Sequence, residues 1–463
     1  MTPADHYKAI IIGSGQGGTP LCQEFAKAGW RTALIEREHV GGTCINEGCT
    51  PTKTMVASGR VAYLARRGAD YGVRTGRIAI DMKRVRTRKR DIVNLFRDSG
   101  QKRIEATKNL DLIFGEASFT GAKSIQVHLK NGKDRALTAD YIVINAGCRP
   151  SIPSLEGLQG VPFLDSTSIM ELAAVPKHLL VLGGGYVGLE FGKLFRRLGA
   201  KVTIIHAGEQ LLSREDPDVA QEVATILKQD GITVLFNAKA GRVAKSGAQI
   251  KVTMGSGKSA KTISGSHLLL ATGRGPNTEK LNLTAAGIVI NDRKFITVNN
   301  KLQTNIDGVY AIGDINGGPA FTHISYDDFR IMRTNLLQQG NATTEGRLVP
   351  YTVFIDPQLG RVGMSENEAR NSQRKIRVAK MTMNYVARAV EIDETRGFMK
   401  AIVDADTNQI LGASVLGVEG GDVMSQIQIA MMGKLPFTTL RDGVFAHPTL
   451  SESLNNLFNH FVE

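Results

Sequence analysis

Cys44 and Cys49 stand inside the run GGTCINEGCTPTK, residues 41–53, and two thiols at this spacing can make and break a disulfide. Five residues of regular helix separate two positions by about 7.5 Å along the axis, whereas a disulfide holds its Cα atoms roughly 4.4–6.8 Å apart. A bridge therefore demands a distorted turn, which Gly41, Gly42 and Gly48 permit. Pro51 suits the first turn of a following helix, where its missing N–H costs nothing. A helix N-terminus also lowers a thiol pKa and favours the reactive thiolate. Two other readings compete, since such cysteines can be small buried apolar groups or half of a zinc site. No second close Cys or Cys/His pair stands elsewhere to complete a metal site, so a redox-active dithiol is the better reading.

A dithiol that turns over needs an electron source, and the neighbouring sequence carries one. An apolar strand-like run, Ala9 to Ile12, leads into GSGQGG, with Gly13, Gly15 and Gly18 in the G-x-G-x-x-G pattern. In a strand, turn, helix setting these glycines let the backbone approach a pyrophosphate at a helix N-terminus. A second strand, Thr32 to Ile35, ends at Glu36, roughly 20 residues beyond the first glycine, where an acid accepts hydrogen bonds from ribose hydroxyls. The unit then recurs. Leu179 to Leu182 lead into GGGYVG, with Gly183, Gly185, Tyr186 and Gly188, and Lys201 to Ile205 form the next strand. Two dinucleotide sites imply two different nucleotides. At the acid's place the second copy has His206, which is either a solvated strand-end histidine or a residue that faces the ribose. Loss of the carboxylate removes the acceptor for a free 2′-hydroxyl and the repulsion toward a 2′-phosphate, which leans toward NADPH. Glu209 nearby and the absence of an adjacent arginine keep NADH open.

Length and charge bound the rest. At 463 residues the chain suggests about three domains, and its apolar runs are short and strand-like, so no transmembrane span or secretory signal is expected. Four cysteines, two of them close together, fit a cytoplasmic protein with one catalytic disulfide rather than a secreted scaffold. Cys22 and Cys148 read as packing residues. The excess of 57 Lys and Arg over 44 Asp and Glu is densest in KRVRTRKR, Lys83 to Arg90. That run continues into an amphipathic segment with Ile92, Val93, Leu95 and Phe96, with no interleaved aromatics among the charges, so a solvated helix face is favoured over nucleic-acid binding.

The chain resembles the pyridine nucleotide-disulfide oxidoreductases, the flavoproteins that include dihydrolipoamide dehydrogenase, glutathione reductase and mercuric reductase. The dithiol run and both glycine patterns carry the resemblance, together with ATGRGPNT (271–278), YAIGDI (310–315) and HPTLSE (447–452), all in family order. It implies an α/β fold with two Rossmann-like domains, for FAD and for NADPH or NADH, and a C-terminal α+β dimerisation domain. The boundaries expected are 1–148 and 277–345 for FAD, 149–276 for NAD(P)H and 346–463 for dimerisation. By resemblance Cys49 faces the flavin and Cys44 is the exchange thiol. His447, oriented by Glu452, is the base, acting on the other subunit of a homodimer. Gly42, Thr43, Lys53, Asp314 and Thr322 join Gly13, Gly15, Gly18 and Glu36 at the flavin. Glu190 pairs with Lys53, while Tyr186, either a flavin cover or a core residue, and Gly273 belong to the NAD(P)H side.

Departures narrow the acceptor. No cysteine follows Cys148, where mercuric reductases carry a C-terminal pair, their N-terminal metal-binding domain is not expected, and Phe445 stands where lipoamide dehydrogenases place a histidine. The segments FTHISYDDFR (321–330) and HPTLSESLNNLF (447–458) resemble the reactive-chlorine-resistance, mercuric-reductase-like branch. The leading expectation is an NAD(P)H-dependent FAD disulfide reductase acting on a small oxidant, disulfide or metal ion. The alternatives are a dihydrolipoamide dehydrogenase and a non-catalytic flavin-bearing nucleic-acid-binding protein. Neither nucleic acid nor membrane is expected as a partner.

Overall fold

The computed structural model describes residues 4–255 and 260–462. The chain divides into two compact units, the first formed by residues 1–54, 84–151 and 273–347 and the second by 55–83, 152–272 and 348–463.

The first unit is built on Asp5–Ile12, whose residues 9–12 are nearly or fully buried, as a strand covered on both faces of a parallel sheet must be. It pairs in parallel with Thr32–Glu36 on one side, Ile10 opposite Ala33, and with Asp134–Ile144 on the other, Ile10 opposite Ile142. Leu110–Gly121 and Val309–Ala311 extend the parallel layer at its two ends. Ser124–Leu129 then joins the long strands Leu110–Gly121 and Asp134–Ile144 by antiparallel pairing. One face of the sheet packs on Leu21, Cys22 and Phe25 of helix Gly18–Lys27 and on Phe329 and Met332 of helix Thr322–Leu337. The KRVRTRKR run lies in helix Met82–Glu105, where Lys89 and Val93 are buried and Leu95 and Phe96 exposed. Arg88 donates to the Thr54 carbonyl at 2.9 Å, so part of this basic run is structural.

The second unit repeats the parallel arrangement with fewer strands, in the order His267–Leu270, His178–Leu182, Lys201–Ile205 and Thr233–Leu235. A three-stranded antiparallel sheet, Ala240–Ser246, Gln249–Met254 and Lys261–Gly265, adjoins it. The C-terminal part is a six-stranded antiparallel sheet centred on Ile410–Gly417 and Phe398–Asp404, with helix Gly420–Met432 against it. Among the described residues no helix is long and apolar enough to cross a membrane.

Candidate active site

The dithiol segment departs from regular helix where its glycines allow it. Gly41, at φ +104°, caps a short helix Gly42–Asn46 that holds Cys44; the chain breaks at residues 47–48, and Cys49 opens the long helix Cys49–Arg66. A Cβ on Gly48 would lie 2.9 Å from the Thr43 carbonyl oxygen, so the break requires glycine. Two contacts pin this segment to the first glycine loop. The Gly41 N–H donates to the Ser14 hydroxyl at 3.1 Å, and Gly42 packs so closely on Gly15 that a Cβ would meet its Cα at 2.7 Å. Thr43 and Gly42 therefore arrive at the loop together with the sulfurs.

A hydroxyl stands at the sulfurs. Thr322, the first residue of its helix, has its Oγ1 3.3 Å from Cys49 Sγ. Cys44 is hydrogen-bonded to Cys49, and that bond, followed by burial and by the charge of Cys49, pushes the Cys44 thiol up; Thr322 and the Lys53 ammonium pull it down. Ionising a second thiol beside the first would place two thiolates in contact, so the pair titrates as a unit. Thr322 was expected as a backbone contact to flavin; its hydroxyl at the sulfurs is a feature that sequence alone did not reveal.

The first glycine loop has the crowding expected of a pyrophosphate cradle. Gly13 sits at φ +103°, and a Cβ there would lie 2.4 Å from the Asn145 carbonyl oxygen; on Gly18 it would lie 2.4 Å from the Gly13 oxygen. Asn145, buried and absent from the sequence-based site, holds the loop by accepting from the Gly18 N–H at 2.9 Å and donating to the Ile312 carbonyl at 3.0 Å. Its only signal was its place in NAGCRP, at a strand end. Glu36 accepts from the Ser14 N–H at 3.1 Å and the Ser14 hydroxyl at 2.6 Å through one oxygen, and from the Glu38 N–H at 2.8 Å through the other. A carboxylate has about four acceptor sites, so capacity remains for ribose hydroxyls. Asp314 lies in the turn Gly313–Asn316, and burial pushes its carboxyl up against the opposing charge of Arg274. The residues present fit FAD: a backbone loop of glycines at a helix start, an acid at the strand end and a part-buried carboxyl beyond it. Cys22 and Cys148 are buried and pushed up to about 12 by burial, as packing residues are.

The second loop repeats this geometry. Gly183 sits at φ +116° with a Cβ position 2.3 Å from the Ala271 oxygen, and a Cβ on Gly188 would lie 2.3 Å from the Gly183 oxygen. Around Gly185 nothing lies within 4 Å of that position, which leaves the cradle open. Tyr186 begins helix Tyr186–Leu198 and is 38% exposed, so core packing is not its role. Glu190 is buried and accepts from the Phe354 N–H at 2.9 Å. His206 ends its strand under the loop, its Nδ1 3.2 Å from the Gly184 nitrogen. Gly273, at φ +127°, belongs to the first unit, where its carbonyl accepts from the Ser151 N–H.

His447 and Glu452 meet within the second unit. His447 Nδ1 stands 2.8 and 3.0 Å from the two carboxylate oxygens, which fixes the proton on Nδ1 and leaves Nε2 as the basic nitrogen. The side chain is 68% exposed, so Nε2 is presented outward. Phe445 is partly buried against the C-terminal core.

This geometry is that of a known group. Residues 7–328 match the family described as pyridine nucleotide-disulphide oxidoreductase, and residues 349–458 match its dimerisation domain. The chain is a pyridine nucleotide-disulfide oxidoreductase. It is 40% identical over 457 residues to the probable pyridine nucleotide-disulfide oxidoreductase RclA of Escherichia coli (strain K12), covering 98% of this chain and 99% of that one. With a mercuric reductase of Lysinibacillus sphaericus it shares 33% identity, covering 97% and 82%. The solved structure of the Cu(II) complex of the HOCl-induced flavoprotein disulfide reductase RclA from Escherichia coli superposes with a TM-score of 0.90 at 38% identity, covering 98% of this chain and 99% of that one. This oxidoreductase uses FAD and NAD(P)H, and its C-terminal part is a dimerisation domain.

Proposed function

We propose that this oxidoreductase passes electrons from NAD(P)H to a small oxidant, a disulfide or a soft metal ion through Cys44 and Cys49, with the first unit's loop holding FAD. The observation that carries this reading is the Thr322 hydroxyl 3.3 Å from Cys49 Sγ, with Thr322 and the Lys53 charge both pulling the Cys44 thiol down. That setting stabilises one negative charge on the dithiol and opposes a second, as a thiol-exchange centre needs. FAD, when bound, supplies the two-electron relay that reopens the Cys44–Cys49 bond.

The chain's own residues do the rest. Cys44, as thiolate, attacks one sulfur of a disulfide acceptor and forms a mixed disulfide, releasing the other sulfur. Cys49 then attacks Cys44, closes the internal bond and expels the second sulfur. His447 of one subunit takes the proton from the Cys44 thiol of the other and returns it to a leaving thiolate, with Glu452 holding the ring. Its outward Nε2 supports a role across a homodimer. Glu36 and Asp314 hold the hydroxyls of FAD, Lys53 favours electron density on the flavin, and Glu190 and Tyr186 belong to the NAD(P)H side. We assign 1–148 and 277–345 to FAD, 149–276 to NAD(P)H and 346–463 to dimerisation, and place the protein in the cytoplasm on its sparse cysteines.

The names of its relatives point to cupric ion and to products of hypochlorous acid as acceptors to try. The test is turnover of NADH and NADPH by the purified protein against cupric ion, mercuric ion, glutathione disulfide, lipoamide and hypohalous-acid products. Rapid turnover with lipoamide alone favours the dihydrolipoamide dehydrogenase reading, against which Phe445 speaks. Absence of turnover with every acceptor overturns both.

A further inference from the structure

His206 stands where a ribose-reading residue is expected, yet the structure commits both of its ring nitrogens inside the protein. Nδ1 faces the Gly184 N–H at 3.2 Å, and Nε2 lies 2.7 Å from the Gln210 carbonyl oxygen. A backbone N–H only donates and a carbonyl only accepts, so Nδ1 is bare and Nε2 carries the proton. The ring is wedged in place: a Cβ on Gly184 would lie 2.8 Å from its Cγ and Nδ1, and one on Gly208 would lie 2.9 Å from its Nε2. The Gly184 carbonyl is tied in turn, accepting from the Leu212 N–H at 3.1 Å. A neutral ring so held has neither an acceptor to offer a ribose 2′-hydroxyl nor a charge to offer a 2′-phosphate.

We infer that His206 is a positioning residue for the second glycine loop: it holds the Gly184 peptide in the conformation that receives either coenzyme, and it does not discriminate NADH from NADPH. This rests on the assignment of residues 183–188 to NAD(P)H. The sequence's lean toward NADPH then has no support from His206 itself.

The test is calorimetric binding of NADH and NADPH analogues, together with NMR assignment of the His206 ring in the FAD-loaded protein. The wild-type ring is expected as the Nε2–H tautomer. His206→Leu is expected to weaken both coenzymes by the same factor, about two- to tenfold, with the flavin content unchanged. His206→Asn, whose side-chain oxygen can replace the Nδ1 acceptor, is expected to restore most of the affinity. A proton on Nδ1, or a His206→Leu variant whose NADPH to NADH ratio moves while one coenzyme keeps its affinity, overturns the inference. Gly185→Val separates the two assignments, because its Cβ enters open space and the free loop tolerates it at φ −82°. If Gly185→Val abolishes coenzyme binding and His206→Leu changes nothing, only the role of His206 is wrong. If Gly185→Val binds normally, the loop assignment itself is wrong.

Discussion

The two units each carry a glycine loop closed by the residue at the end of the next strand, and they close it differently. In the first, Glu36 grips Ser14, and the Ser14 hydroxyl reaches on to the Gly41 N–H at the head of the dithiol segment. In the second, His206 grips Gly184, and its other nitrogen turns back to Gln210 a few residues along the same chain. The first loop is thereby mechanically joined to the redox centre, whereas the second is closed on itself. The difference teaches that the glycine pattern specifies a backbone shape, while the residues around it decide what that shape is connected to. The same division holds for reactive groups: the first unit has the sulfurs and the second has the His447–Glu452 pair.

Removing a sulfur tests the first half of that contrast with the largest expected effect. Cys44→Ser and Cys49→Ser should each lower turnover of disulfide acceptors by on the order of 10³-fold or more, since neither step of exchange survives without both thiols. Steady-state rates beside unchanged flavin content are the check; substantial disulfide turnover in either variant removes the dithiol from the reaction.

The division between sulfurs and base is sharpened by mixing subunits. His447→Ala should cost about 10²–10⁴-fold as loss of a general base. Exchange of Cys44→Ser with His447→Ala subunits should then restore activity in the heterodimers, because one of the two sites unites an intact dithiol with an intact base. The opposite site carries both lesions, so recovery should approach roughly half of the native rate per heterodimer. Demonstrated exchange without recovery would mean that the base serves its own chain or none.

The loops themselves respond unequally to one methyl group. A Cβ on Gly15 would lie 2.8 Å from Asn145 Oδ1, so Gly15→Ala must displace the side chain that holds Gly18. It should destabilise the protein by about 1–3 kcal/mol and loosen flavin retention, seen by thermal unfolding and by the free flavin released. Gly185→Ala enters open space and should leave unfolding unchanged. Equal losses at both positions would erase the contrast between a crowded loop and an open one.

Much of this is legible in the sequence. Thr32 to Ile35 and Lys201 to Ile205 could be placed as strands because buried parallel strands are short unbroken apolar runs. The dithiol could be placed in a distorted turn because helix rise and disulfide span disagree. What the sequence concealed is long-range and polar. Asn145 clamps the loop from a strand end far along the chain, and Thr322 reaches the sulfurs from a separate helix; neither leaves a periodic mark. The effect of one sulfur on the ionisation of the other is concealed for a related reason, since a local helix-dipole argument omits the neighbouring sulfur. His206 was found by its spacing, but its two bonds depend on Gly184, Gly208 and Gln210 packing around one ring.

Thr322 supplies a smaller effect confined to the first unit. Its hydrogen bond lowers the Cys44 pKa, so Thr322→Val should raise it and move the pH profile for alkylation of the reduced protein toward alkaline values. At neutral pH less thiolate remains, and the alkylation rate should fall about two- to tenfold, the equivalent of one hydrogen bond. An unchanged profile would leave Lys53 as the group that matters.

The subtlest prediction rebuilds one loop's closure in the other. Gly184→Ser alone adds a Cβ that would lie 2.8 Å from the His206 ring, so it should weaken coenzyme binding and lower stability. His206→Glu alone should keep a grip on the Gly184 N–H, as Glu36 does on Ser14, and its spare oxygen should shift the ratio of kcat/KM toward NADH by accepting a ribose hydroxyl. Together the two substitutions recreate the Ser14–Glu36 pair, in which the hydroxyl donates to the carboxylate at 2.6 Å. The double variant should therefore be more stable than the sum of the single changes, with a coupling of about 0.5–3 kcal/mol. Thermal unfolding of the four proteins measures it. Simple additivity would show that serine at position 184 does not reach the acid, and that the two closures are not interchangeable solutions to one backbone shape.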